Sequence, residues 1–207
     1  DALVGGHDYE SSQVNMATGE GGSGRQAGSA FKLFTLMAAL KEGIDPDTLI
    51  DAGYKVDLAG GQPVYNANKQ DYGTRTIKSA FGVSSNTAFI RLLLSVGVDK
   101  VIETAKSMGI TSDLPSVAGL TLGIASVTPL QMAEAYATVA NGGVHYEAEC
   151  IVKIEDRNGN VIVDNSDPQG ERVFTKEQAR AAIDCLEVVI DDGTGKAARP
   201  SNGQEAG

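Results

Sequence analysis

The fourteen residues from Ser29 to Glu42 constrain this chain more than any other stretch. Phe31, Phe34, Met37, Ala38 and Leu40 recur at helical spacing and predict a helix with an apolar stripe turned to the core. Gly43 stands where a left-handed glycine ends a helix. The same stretch opens with Ser29-Ala30-Phe31-Lys32. Residues three apart share a helix face, so Ser29 comes beside Lys32. The serine hydroxyl then lies at a helix N-terminus, where backbone N–H groups and the helix dipole favour negative charge. A serine needs a base before it attacks a carbonyl. A lysine taken out of water loses its proton near neutral pH and supplies that base. The same residues also fit a plain helix cap, with Lys32 out in solvent.

Ser84-Ser85-Asn86 follows about fifty residues on. It falls in a break, Gly82–Ser85, between a short helix over Thr76–Phe81 and an apolar helix over Asn86–Val96. Side chains at such a break can project into a cleft, or they can simply cap the next helix. Further helices are expected over Val98–Met108, from the Thr128-Pro129 cap to Ala140, and from the Thr175/Gln178 capping box to about Ile190. Ala2–Gly6 reads as a strand, and Ala148–Asp156 with Asn160–Asp164 as a hairpin about Asn158-Gly159. Ser11–Gly28 reads as a glycine-rich loop. It lacks the Gly-Lys-Ser/Thr ending that phosphate binding needs. Asp45–Thr76 reads as mostly irregular, a length that in a compact domain points to a functional loop or lid.

With 207 residues there is enough chain for one sizeable core or for most of a larger domain. A net charge of −10 argues against nucleic acid and against an anionic membrane face, because both want basic patches. No apolar run reaches the ~20 residues of a membrane span. Cys150 and Cys185 form no metal or redox motif and read as two buried, inert thiols; a disulfide is the alternative if the protein works outside the cytoplasm. His7 and His145 lie far apart and are expected in loops or at the surface, without a role. No metal site is expected.

Arg25-Gln26-Ala27-Gly28-Ser29-Ala30-Phe31-Lys32 resembles the Arg-x-Pro-Gly-Ser-x-Phe-Lys of bifunctional (class A) penicillin-binding proteins. Ser-x-x-Lys with Ser-Asp-Asn and Lys-Thr-Gly marks those proteins and class A β-lactamases. Ser84-Ser85-Asn86-Thr87-Ala88-Phe89 resembles the second of these motifs, with Ser85 in place of Asp. Val4–Tyr9, Thr121-Leu122-Gly123, Val127–Leu130, Ala135-Tyr136-Ala137, Ala140–Gly143 and Gly193-Thr194-Gly195 resemble other parts of the transpeptidase domain, in family order. The likeness spans nearly the whole chain. It departs at Ala27 and Leu33, where the family usually has proline, and Ala206-Gly207 resembles the approach to Lys-Thr-Gly.

The resemblance implies an α+β serine acyltransferase fold shared by penicillin-binding proteins and β-lactamases. A helical subdomain then lies beside an incomplete antiparallel sheet, residues 1–207 forming a partial transpeptidase domain. An exposed sheet edge and an apolar patch are expected near the C-terminus. The implied activity, that of the parent protein, is a D,D-transpeptidase that crosslinks peptidoglycan stem peptides through an acyl-enzyme; this segment alone is expected to be weak or inactive, and a chain extended through Lys-Thr-Gly is expected to acylate well. Lys32 is the base, Ser29 the nucleophile and one oxyanion N–H donor, Ser84 the proton relay to the leaving D-alanine, and Asn86 the group holding the acyl chain. The implied partners are stem peptides ending in D-Ala-D-Ala and β-lactams. No cofactor is implied. The parent protein is expected to be membrane-anchored and to work on the extracytoplasmic face. A carboxypeptidase or β-lactamase-like hydrolase, and a non-catalytic domain of the same fold, stay open as alternatives.

Overall fold

A computed structural model describes residues 8, 10, 13–19 and 24–207. The strand expected at Ala2–Gly6, His7 and much of the glycine-rich stretch lie outside the described residues. Ser29 sits in a 3-10 turn, Gly28–Phe31, which runs into helix α1, Lys32–Lys41. Every residue of α1 from Lys32 to Leu40 is buried, not only the expected stripe. The reason is its central position: α1 packs against α3 (Asn86–Val96), α4 (Val98–Ser107) and α6 (Lys176–Asp191). A helix that is apolar all round belongs inside. Phe31 and Phe34 meet at 4.5 Å between ring centroids, and each fully buried ring or leucine contributes about 1.5–3 kcal/mol. The turn that carries Ser29 leads directly into this packed interior.

Capping sets the helix starts. Thr76 accepts from Ser79 N at 3.1 Å and opens α2, Ile77–Gly82. Ser85 accepts from Ala88 N at 3.2 Å and opens α3. Reciprocal capping boxes begin α5, Pro129–Ala140, at Thr128/Gln131 and α6 at Thr175/Gln178. Gly43, at φ +80°, donates to Leu40 O and ends α1 as expected.

The strands are short and pair two by two, all antiparallel. β1 (Arg25–Gln26) pairs with β6 (Ser126–Val127), and β2 (Leu49–Asp51) with β5 (Thr74–Thr76). β3 (Lys55–Val56) pairs with β4 (Val64–Tyr65), and β7 (Val144–His145) with β10 (Glu171–Arg172). β8 (Lys153–Glu155) and β9 (Val161–Asp164) form the expected hairpin. The fold is therefore α+β, with a helical core and peripheral ladders.

Several expectations need correction. Asp45–Thr76 is mostly irregular, as expected, but it also holds two short ladders, and Ala52 N bonds Gly73 O at 2.8 Å across it. Arg25–Gln26 is a strand and not loop. Cys150 is exposed, because it precedes a hairpin whose faces meet no core; Cys185 is buried, and both thiols are free. His145 lies in β7, half-buried, with Nδ1 3.1 Å from Thr138 Oγ1. Every described ladder has two strands only, so each strand keeps one unpaired edge, β10 just before α6 among them. The apolar opening near the C-terminus is a hollow of about 410 Å³ between α5 and α6, lined by Tyr136, Val139, Ile183 and Leu186 with Ala206 and Gly207. It arises because α6 is an amphipathic helix whose outer flank is only half-buried.

Candidate active site

The turn carrying Ser29 is anchored by close backbone contact. Gly28 adopts φ +59° and Gly123 φ +70°, values that favour glycine. A Cβ on Gly123 would fall 2.2 Å from Gly28 O, so these two chains touch backbone to backbone. Thr35 Oγ1 donates to Thr121 Oγ1 at 2.8 Å one turn deeper and ties the same 118–122 turn to α1. Tyr136 of α5 donates its hydroxyl to Ala30 O at 3.1 Å. Ser29 is thus exposed on a turn held from three sides.

Lys32 is 1% exposed although it begins a helix. Its Nζ lies 3.1 Å from Ser29 Oγ, 2.9 Å from Ser84 Oγ, 2.7 Å from Ser84 O and 2.8 Å from Asn86 Oδ1. The four residues singled out in the sequence therefore meet on one nitrogen, and the solvent-facing alternative for Lys32 is excluded. Burial lowers the Lys32 amine from 10.5 to about 8, since a charge loses hydration there.

Ser84 reaches this nitrogen through an uncommon backbone. It has φ +55°, a left-handed conformation rare for a residue with a Cβ. Ser84 N bonds Phe81 O at 2.8 Å and Ser85 N bonds Ala80 O at 2.9 Å, so the residue closes the C-terminus of α2. That reversal turns both its carbonyl and its hydroxyl onto Lys32. Such a conformation costs of order 1–3 kcal/mol and persists where surroundings enforce it. Asn86 sits on the first turn of α3 and donates Nδ2 to Tyr65 O at 3.1 Å, which leaves Oδ1 for Lys32.

Burial, and not these oxygens, is what favours a neutral amine; the oxygens leave room for one. Ser84 O and Asn86 Oδ1 only accept. They can take the two N–H bonds of an uncharged amine and leave its lone pair toward a hydroxyl. The cleft over Ser29 and Lys32 holds about 250 Å³ and is walled by Phe81, Tyr136, Leu186, Val189 and Thr194. Its walls are mostly apolar, and burial pushes the Tyr136 phenol up to about 12, so that it stays neutral. No group of His, Cys, Asp and Glu among the described residues could hold a metal.

Sequence reasoning named Tyr136 only within a resembling stretch, and it missed Asn66. Asn66 is buried and bonded to the Ser84–Thr87 segment. In sequence it reads as one more turn residue, because nothing local marks an asparagine whose partners lie some twenty residues away.

Comparison with known proteins places the chain in a family. The family profile described as penicillin binding protein transpeptidase domain matches residues 3–207. Penicillin-binding protein 1A of Aquifex aeolicus is 37% identical over 201 residues, covering 95% of this chain and 27% of that protein. The Neisseria meningitidis protein of the same name is 36% identical over 167 residues, covering 77% of this chain and 20% of its own length. Among solved structures, PonA1 of Mycobacterium tuberculosis in complex with penicillin V superposes with a TM-score of 0.81 at 27% identity, over 92% of this chain and 52% of that one. The D,D-transpeptidase domain of an Eggerthella lenta peptidoglycan glycosyltransferase gives 0.78 at 27% identity, over 94% and 54%. The chain thus spans about a quarter of the length of these curated relatives and about half of these solved chains. By sequence and by fold, the chain belongs to the penicillin-binding protein transpeptidase domain family.

Proposed function

We propose that Ser29 is the nucleophile of a serine D,D-transpeptidase that crosslinks peptidoglycan stem peptides and is acylated by β-lactams. One observation carries the reading: the buried Lys32 Nζ lies 3.1 Å from Ser29 Oγ. The PonA1 structure with penicillin V supports it by likeness.

In this reading the neutral Lys32 amine takes the proton of Ser29 as Oγ attacks the carbonyl between the two terminal D-alanines. The carbonyl C–N bond breaks, and Ser84 Oγ passes a proton from Lys32 to the departing amine nitrogen. Asn86 holds the acyl chain while its Oδ1 keeps Lys32 in place. An amine of a neighbouring stem peptide then attacks the ester, regenerates Ser29 and forms the crosslink. A β-lactam enters at the first step, and its ring opening leaves the acyl group on Ser29. The backbone N–H of Ser29 is one oxyanion donor, and losing such a donor costs roughly 100-fold or more in rate. The parent protein is read as membrane-anchored, working on the extracytoplasmic face; among the described residues no helix is long and apolar enough to cross a membrane.

The test is intact-mass analysis after exposure to penicillin. A single adduct that disappears in Ser29→Ala is expected. An adduct that persists in Ser29→Ala rejects the assignment, and rapid release of the label points to a hydrolase on the same fold.

A further inference from the structure

Asn66 is 3% exposed, while Tyr65, Ala67, Asn68 and Lys69 around it are exposed. A buried amide must have its donors and acceptor met. Here Nδ2 donates to Ala52 O at 3.0 Å, Gly53 O at 3.2 Å and Gln70 O at 2.9 Å. Oδ1 accepts from Ser85 Oγ at 3.0 Å and Thr87 N at 3.1 Å, with Thr87 Oγ1 at 3.3 Å. One face of the side chain therefore grips the 52–70 segment, and the other grips the start of α3. The single proton of the Thr87 hydroxyl goes to Gly53 O at 2.7 Å, the shortest of its contacts, and doubles the link.

The residues flanking these contacts are the ones that matter for chemistry. Asn86 lies between Ser85 and Thr87, and its Nδ2 donates to the carbonyl of Tyr65, the residue before Asn66. Asn86 can aim Oδ1 at Lys32 only while Nδ2 has that carbonyl to hold. The backbone beyond Asn66 is strained: Asn68 and Lys69 both have φ +54°. Strain of this kind persists only where neighbours enforce it, and the Asn66 bond to Gln70 O closes the strained turn.

We propose that Asn66 is a positioning residue: it clamps the Ser85–Thr87 turn to the Tyr65 backbone and so holds the Asn86 amide with its oxygen on Lys32. This deepens the acylation reading and rests on it for the catalytic consequence alone; the geometric claim concerns Asn86 and Lys32 directly.

The test compares Asn66→Ala with Val101→Ala, a core truncation in α4, a helix with no residue on the cleft. The 13Cε resonance of Lys32 is followed against pH in each, alongside the rate of labelling by a fluorescent penicillin. An amide oxygen on the amine favours the charged form, so its loss lowers the Lys32 midpoint, by about half a pH unit or more. Tyr136 is the other titratable side chain on the cleft wall, and it stays neutral through this range. Labelling is expected to fall about tenfold in Asn66→Ala, a displacement of the base being felt strongly in rate. Val101→Ala is expected to lower the melting temperature and leave the midpoint unmoved. Should Asn66→Ala not fold, Asn66→Ser is read in its place. An unmoved midpoint in the Asn66 variant that folds, beside a lowered melting temperature, reduces Asn66 to a structural residue and overturns the proposal. Absence of any penicillin adduct on the longer parent protein rejects the acylation reading instead, and the resonance still decides the positioning claim.

Discussion

The start of α1 and the middle of α6 pack in one core, and each buries a titratable group. Lys32 and Cys185 feel the same force, removal from water, with opposite chemical results. Burial lowers the amine to about 8 and raises the thiol to about 12, because in both cases the neutral form wins. A neutral amine has a free lone pair and is a base. A neutral thiol is a poor nucleophile, because the thiolate does the chemistry. The difference extends to surroundings. Lys32 has four oxygens on its nitrogen, whereas Cys185 belongs to the apolar core cluster. Burial alone does not make a site; burial of a base beside an acceptor-rich turn and an exposed hydroxyl does.

The largest effect expected is that of Lys32→Met, which keeps the bulk and removes the base. Labelling by penicillin should fall by about 100-fold to 10,000-fold, the usual range for a lost general base. Labelling at the unaltered rate would break the contrast at its centre. The same variant reads the cost of burying the amine. The folded-state midpoint of Lys32, about 8, lies below 10.5, so the unfolded chain binds the proton more tightly. Stability from the neutral amine is therefore fully present above about pH 10.5, is lost as pH falls, and is gone below about pH 8. The stability gap between the unaltered chain and Lys32→Met should change by about 3 kcal/mol over that window. Denaturant unfolding at pH 8 and 10.5 measures it.

Next comes the pH dependence of acylation. With the amine near 8, about a tenth is neutral at pH 7 and about nine-tenths at pH 9. The labelling rate should climb nearly tenfold between those values and then level. A flat profile from pH 6 to 9 would mean that Lys32 is not the base. A smaller effect is expected for Tyr136→Phe, which removes the bond to Ala30 O and leaves the ring in the cleft wall. One such bond is worth about 0.5–1.5 kcal/mol, so labelling should slow several-fold with its pH midpoint unchanged.

What the sequence made legible follows physical range. Helix starts depend on residues three apart, so Thr128/Gln131, Thr175/Gln178 and the boundaries of α3 were readable. The Ser29–Lys32 pair is also local, one helical turn. The second motif needed the family resemblance, since fifty residues separate Lys32 from Ser84 and no periodicity reports that contact. The ladders of two or three residues inside Asp45–Thr76 carry too little alternation to stand out, and their pairing is non-local. Asn66 was invisible for the same reason. Cys150 was misread because alternating apolar residues in the 148–164 hairpin suggest burial; Val152 and Ile162 are 62% and 65% exposed, since no described element covers that ladder.

The smallest effect on acylation, and the sharpest control on the comparison, belongs to Cys185. Cys185→Ala removes one buried sulfur and should cost about 1 kcal/mol or more in stability, as a core truncation does. The labelling rate and its pH midpoint should not move, because no atom of Cys185 bonds the Ser29–Lys32–Ser84–Asn86 cluster. A thiol reagent should modify exposed Cys150 readily under native conditions and reach Cys185 only as fast as the core opens. If Cys185→Ala instead slowed acylation as much as Tyr136→Phe, α6 would have to be transmitting its packing to the cleft through Leu186 and Val189, which line it. The two buried groups would then belong to one functional unit, and the division between reactive and inert burial would fail.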